Sequence, residues 1–229
     1  FTMSGGKIAH NEAKASSTAA MGGLHSNTIR NNGKFFMSGG EISYNTADGS
    51  GGGLFVDVTG VAELEGTAKI TGNTAKNNGG GIFINADGTS KFGTLTISGN
   101  VEISDNKADG NGGGIYAGGV GADKSTSLTI NDDVIITKNT APRGAGVYLL
   151  SSTLCMNGGE IFGNNVENLA LDCGDVKQTP YAYIEGYGHN HPICGVSCGH
   201  GDTHGKRVNW IPISSFEELR NIQSAGYYY

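Results

Sequence analysis

The sequence predicts an all-β fold, a parallel β-helix of about six coils with a small Cys/His-rich appendage toward its C-terminal end. Three observations carry that expectation. Near-identical segments recur: "FTMSGGKIAHN" at 1–11, "FFMSGGEISYN" at 35–45 and "LCMNGGEIFGN" at 154–164, with weaker copies "LEGTAKITGN", "ISGNVEISDN" and "INDDVIITKN" between them. Apolar and polar residues alternate inside the copies, which is the period of a strand, and nothing from 1 to 165 sustains a helical period. The units also differ in length. A closed propeller or hairpin array tolerates that poorly, whereas a parallel coil lets surplus residues bulge out at a corner.

The elements follow in a fixed order within each unit. The anchor isoleucines are Ile8, Ile42, Ile70, Ile103, Ile136 and Ile161. Three residues after each comes an asparagine: Asn11, Asn45, Asn73, Asn106, Asn139 and Asn164. Two further on stands Ala13, Ala47, Ala75, Ala108 or Ala141, and then a glycine cluster such as Gly51–Gly53, Gly79–Gly81 or Gly112–Gly114. A short apolar strand follows each cluster: "LHS", "LFV", "IFI", "IYA", "VYL". Each unit thus holds three strand-like pieces, too short to bury their own apolar face; stacking the units buries it. Adjacent turns ~4.8 Å apart give a stack roughly 30 Å long.

The polar segments "DVTGVAE" at 57–63, "NADGTSKFG" at 85–93 and "GGVGADKSTS" at 118–127 are the expected corner bulges. The repeated Asn can turn a corner in a left-handed conformation. Its amide can also bond to the Asn above and below, an internal asparagine ladder; ordinary turn asparagines are the competing reading. The glycines permit positive φ and close backbone approach. They are not a phosphate loop, since no helix and no Lys-Ser/Thr pair follows them.

Composition narrows the function. Glycine accounts for 40 of 229 residues, yet the apolar residues recur at fixed offsets, unlike those of a linker. A net charge of −6 and four arginines argue against a nucleic-acid partner. No apolar run approaches the ~20 residues of a membrane span. Both ends read as cuts in a longer polypeptide.

The units "MSGGEISYNTADGSGGGLFV" and "ITGNTAKNNGGGIFI" resemble the right-handed β-helix repeats of large bacterial surface proteins, the adhesin-like and pectate-lyase-like class. The resemblance covers about 1–165 and implies a right-handed coil. It fixes no activity, because the same coil carries adhesins, polysaccharide lyases and phage tailspikes. The leading expectation is a non-enzymatic stalk or adhesin segment of a secreted or surface-anchored bacterial protein, placed outside the cell or on its surface. The alternative is a carbohydrate-active enzyme fragment of the polysaccharide lyase or hydrolase kind.

Such an enzyme needs clustered acids on one face of neighbouring turns. The position before each anchor reads Lys7, Glu41, Lys69, Glu102, Ile135 and Glu160; over the first four turns the charge alternates in sign, which predicts cross-strand ion pairs. Asp132, Asp133, Asp105 and Asp109 remain, in turns without a nearby Arg or His. An ice-binding threonine array begins at Thr94, Thr96 and Thr129 but meets Glu63 and Glu65 in the previous unit, so it does not continue. One outward row is unusual: after the inward Leu24, Leu54, Ile82, Ile115 and Val147 come His25, Phe55, Phe83, Tyr116 and Tyr148. Phe55, Phe83, Tyr116 and Tyr148 are the candidate ligand-binding residues, a contact surface for glycan rings or a partner protein. A stacking ladder that stabilises the coil is the competing reading.

After Asn165 the period fails, apart from a final strand-like "NLALDC", and "GDVKQTPYAYIEGYG" carries no repeat. The coil is assigned to 1–180, a Cys/His-rich joint to 181–208 and the start of a further domain to 209–229. In "HNHPICGVSCGHGDTH", Cys194, Cys198, His200 and His204, with His191 as a substitute for His200, have the ligand types and short spacing of a structural zinc site. A Cys194–Cys198 disulfide, pairing with Cys155 and Cys173, and free thiols are the readings that compete with metal. Ser215 and Glu218 form a capping box ahead of a short helix from about 216 to 223.

Overall fold

The computed structural model describes residues 1–14, 29–86, 92–119, 126–172, 175–178 and 183–184. Among them there is no helix; short strands are stacked into four sheets, and every strand–strand pairing is parallel. The first sheet stacks Thr2–Met3, Lys34–Met37, Val61–Leu64, Thr94–Ile97, Ser127–Ile130, Thr153–Met156 and Asp175–Gln178. The second stacks Lys7–Ala9, Glu41–Ser43, Lys69–Thr71, Glu102–Ser104, Ile135–Thr137, Glu160–Phe162 and Tyr183–Ile184. The third is narrow: Glu12–Ala13, Thr46–Ala47, Thr74–Ala75 and Lys107–Ala108. The fourth holds Arg30–Asn31, Leu54–Val56, Ile82–Ala86, Ile115–Gly119, Val147–Leu150 and Leu169–Asp172.

The chain visits the sheets in that order and then starts again one layer higher, which makes a parallel β-helix. In the first four units the expected three strands become four, because Ala13, Ala47, Ala75 and Ala108 lie in two-residue strands of their own. The segment after Asn165, which carries no visible repeat, continues the coil: Asp175–Gln178 pairs with Thr153–Met156, and Tyr183 and Ile184 pair with Glu160 and Ile161, past the expected edge at 180.

The register is that of the repeat. Ile8, Ile42, Ile70, Ile103, Ile136, Ile161 and Ile184 are successive Cα partners in the second sheet. From Ile42 to Ile161 they are wholly buried. Met37, Leu64, Ile97, Ile130 and Met156 make a parallel column in the first sheet, and Leu54, Ile82, Ile115, Val147 and Leu169 one in the fourth. These columns fill the lumen as one apolar cluster. Each buried aliphatic side chain contributes about 1.5–3 kcal/mol.

The corners are built by different residues. Between the second and third sheets the left-handed residue is the one before each asparagine, not the asparagine: His10, Tyr44, Gly72, Asp105, Lys138 and Gly163, with φ between 53° and 64°. Turning there leaves the asparagine free to point inward. Asn45 Nδ2 donates to Asn73 Oδ1 at 3.0 Å, Asn73 Nδ2 to Asn106 Oδ1 at 3.0 Å, and Asn106 Nδ2 to Asn139 Oδ1 at 3.0 Å. Each of these oxygens also accepts the backbone N–H of the preceding asparagine. At the next corner the backbones of neighbouring turns meet: a Cβ on Gly80 would lie 2.4 Å from the carbonyl carbon of Lys107. The polar segments at 57–63, 85–93 and 118–127 fall where the chain passes from the fourth sheet to the first.

Candidate functional site

The aromatic row lies on the fourth sheet, on the face away from the lumen. Phe55, Phe83, Tyr116 and Tyr148 are Cα partners in successive turns. Their ring centroids are 4.9, 4.8 and 5.2 Å apart and their planes within 17° of parallel. The sequence placed His25 at the head of the row; the Cα partner of Phe55 is instead Arg30, and His25 lies outside the described residues. The rings are also not an open surface. They are only 1–6% exposed and form a cluster of their own, separate from the lumen. In-register strands ~4.8 Å apart bring each ring into contact with the next, so the rings shade one another.

Each end of the row carries an arginine held by a carboxylate. Arg30 Nε and Nη2 donate to Asp57 Oδ2 at 2.8 and 2.5 Å. Asn85 Nδ2 and the backbone N–H of Val58 donate to the other oxygen. At the far end Ala170 takes the place of a fifth ring. There Arg143 sits 5.3 Å from the Tyr148 ring centroid and grips Asp172 with two bonds of 2.9 and 3.0 Å. The Tyr148 hydroxyl donates to the same carboxylate. Burial is the largest single influence and would raise the pKa of Asp57 and Asp172, but the arginine bonds and charge, together with the bonds from Val58 and Asn85 to Asp57 and from Tyr148 to Asp172, hold both below the usual carboxylate range. The sequence does contain a signal for this: "LFVD" and "LALD" place Asp57 and Asp172 at one register position, two residues past Phe55 and Ala170.

The two tyrosines make a test of that packing. Burial, and after it the charge of Asp172, pushes the Tyr116 hydroxyl up to about 12 and raises that of Tyr148 as well. A tyrosine raised on folding contributes stability that is complete below its unfolded pKa near ~10 and is lost as pH climbs through the folded value. The melting temperature is expected to fall between about pH 10 and pH 12, and Tyr116→Phe to reduce that fall, in circular-dichroism melts across the range.

Several of the other candidate positions take structural roles. Lys7 pairs with Glu41 at 3.1 Å and Lys69 with Glu102 at 2.8 Å, the expected cross-strand ion pairs. Asp105 and Asp132 turn corners at φ 57° and 54°, and Asp132 Oδ2 accepts the Gly99 N–H at 2.9 Å. Thr94 and Thr96 stand over Ser127 and Thr129, then over Thr153 and Cys155. In the turn before, their partners are Val61 and Glu63, not the expected Glu63 and Glu65. Cys155 is a half-buried free thiol. Among the described residues no group of His, Cys, Asp and Glu could hold a metal ion. Cys194, Cys198, His200, His204, His191 and the helix at 216–223 lie outside the described residues.

One stretch of the coil, 100–118, contains Ile103, Asn106, Ala108, the glycines 112–114 and Tyr116, which is most of one turn. Residues 100–118 match the Chlamydia polymorphic membrane protein repeat. That match and the all-parallel sheets fit a β-helix repeat region of a bacterial surface protein. No curated protein and no solved structure matches the chain.

Proposed function

We propose that the coil is a non-enzymatic stalk or adhesin segment of a secreted or surface-anchored bacterial protein, and that it contacts a surface glycan or a partner protein. The observation that carries this reading is the polymorphic membrane protein repeat falling on a turn of a stacked, all-parallel coil. In this reading the asparagine hydrogen bonds act as a ladder that stiffens the stalk. The aromatic row is its second spine, and its low exposure leaves little ring area for a ligand. The acids also support it: Glu41, Asp57, Glu102 and Asp172 each face a Lys or Arg of the coil itself, where a hydrolase or lyase would aim acids at a sugar.

The test is antibody labelling of intact, unpermeabilised cells together with binding of the purified chain to host cells. Labelling and saturable binding support the reading. Labelling only after permeabilisation, or release of sugar fragments from a polysaccharide by the purified chain, overturns it.

Residues 189–204 are proposed to bind one structural zinc through Cys194, Cys198, His204 and either His200 or His191. Ile193 and Val196 are the segment's only branched aliphatics, and a short polar sequence of that kind calls for a staple. Thiolate and imidazole ligands suit Zn²⁺ in a closed tetrahedron. Elemental analysis of protein purified without chelators or a His tag is expected to find zinc near one equivalent, lost on Cys194→Ser. Absence of metal together with a Cys194–Cys198 bond in mass spectrometry rejects the site.

A further inference from the structure

The corner between the second and third sheets carries an exposed aromatic pair that the fold does not require. Gly72 and Gly163 turn that corner without a side chain, at φ 64° and 60°. His10 and Tyr44 turn it at φ 58° and 53°. A bulky ring in the left-handed region costs backbone energy, and strain of this kind gathers at functional positions. Burial does not offset it here, because Tyr44 is 55% exposed.

The pair is nonetheless ordered. The two rings stack at 5.4 Å with planes 8° apart. Lys7 Nζ lies 5.4 Å from the Tyr44 centroid. Tyr44 leans over the next turn, where a Cβ on Gly72 would come within 2.6 Å of its Cε1. Polar groups border the rings: Lys7 bonds Glu41 at 3.1 Å, and Thr71 Oγ1 donates to Glu41 Oε1 at 3.3 Å.

We propose that the His10–Tyr44 corner is a contact point for a neutral glycan. The inference rests on the adhesin reading and names its contact residues. Exposed aromatic rings pack against the C–H surface of a sugar, and an adjacent ammonium, carboxylate and hydroxyl match its hydroxyl groups as donors and acceptors. Neutrality follows from charge. Glu41 already balances Lys7, and a chain of net charge −6 repels sulfated or sialylated polymers.

The strain makes the proposal separable from a structural role. Asparagine tolerates the left-handed conformation, so Tyr44→Asn removes the ring without asking the corner to change. The probe is an array of neutral hexose and N-acetylhexosamine oligosaccharides, with heparin as the anionic control. The full chain is expected to bind neutral members, and Tyr44→Asn and His10→Asn each to weaken binding about tenfold or more, with the melting temperature unchanged or raised. Binding unchanged in Tyr44→Asn, a collapsed melting temperature in that variant, or binding to heparin alone overturns the proposal. A chain that binds host cells but no neutral glycan also overturns it and leaves the adhesin reading standing with a protein partner. A chain that binds neither removes both.

Discussion

Replacing Asn106 by Ala is expected to destabilise the coil by about 3–5 kcal/mol, more than its single amide suggests. Its Oδ1 accepts the Asn73 backbone N–H at 2.9 Å and the Asn73 side-chain amide at 3.0 Å. Its Nδ2 donates to the Ile70 carbonyl at 2.9 Å and to Asn139 Oδ1 at 3.0 Å. All of these groups are closed to water. Alanine removes both side-chain atoms, strands the Asn73 N–H in the interior at about 1–3 kcal/mol, and takes the buried bonds to the Asn73 and Asn139 amides with it. Urea unfolding of the variant beside the parent chain measures the loss. A loss below ~0.5 kcal/mol, the range of an ordinary exposed position, would mean that Asn106 merely occupies a turn.

Ile103→Ala is expected to cost about 2–5 kcal/mol by the same measurement. The side chain is wholly buried, with Ile70 and Ile136 as its partners above and below. Truncation leaves a cavity that the stacked turns cannot close without shifting the whole column. In a solenoid each turn is stabilised chiefly by its neighbours, so the damage extends to the adjoining turns. The neighbouring Glu102 points outward to Lys69, and Glu102→Ala is expected to cost under about 1 kcal/mol. Equal losses at Glu102 and Ile103 would mean that inward and outward faces are misassigned.

The columns were legible in the sequence because stacking repeats one residue type at one register position. Ile42, Ile70 and Ile103 are the clearest case, and the glycines near 52, 80 and 113 are another. The third sheet was not legible: strands of two residues, such as Thr74–Ala75, are shorter than one full alternation. The left-handed corner was misplaced by one residue for a related reason. The positions that take it are His, Tyr, Gly, Asp, Lys and Gly, with no common side chain to mark them.

The outward direction of Phe83 and Tyr116 followed from alternation, but their closure did not. Shading depends on ring-to-ring distance, which periodicity does not carry. Arg143 was missed because it reaches Tyr148 and Asp172 from a connecting segment outside any strand pattern. The strand Asp175–Gln178 was missed because "DVKQ" has one apolar residue where the other four-residue strands of its sheet have at least two.

The central claim is that units about one turn apart in sequence lie in register, with their asparagines in contact inside the coil. Solution NMR of the side-chain amides of Asn73, Asn106 and Asn139 tests it most directly. The account predicts slow hydrogen exchange at all three. It also predicts nuclear Overhauser contacts linking Asn73 to Asn106 and Asn106 to Asn139, residues 33 positions apart. Fast exchange at these amides, with no contacts between successive units, would contradict it.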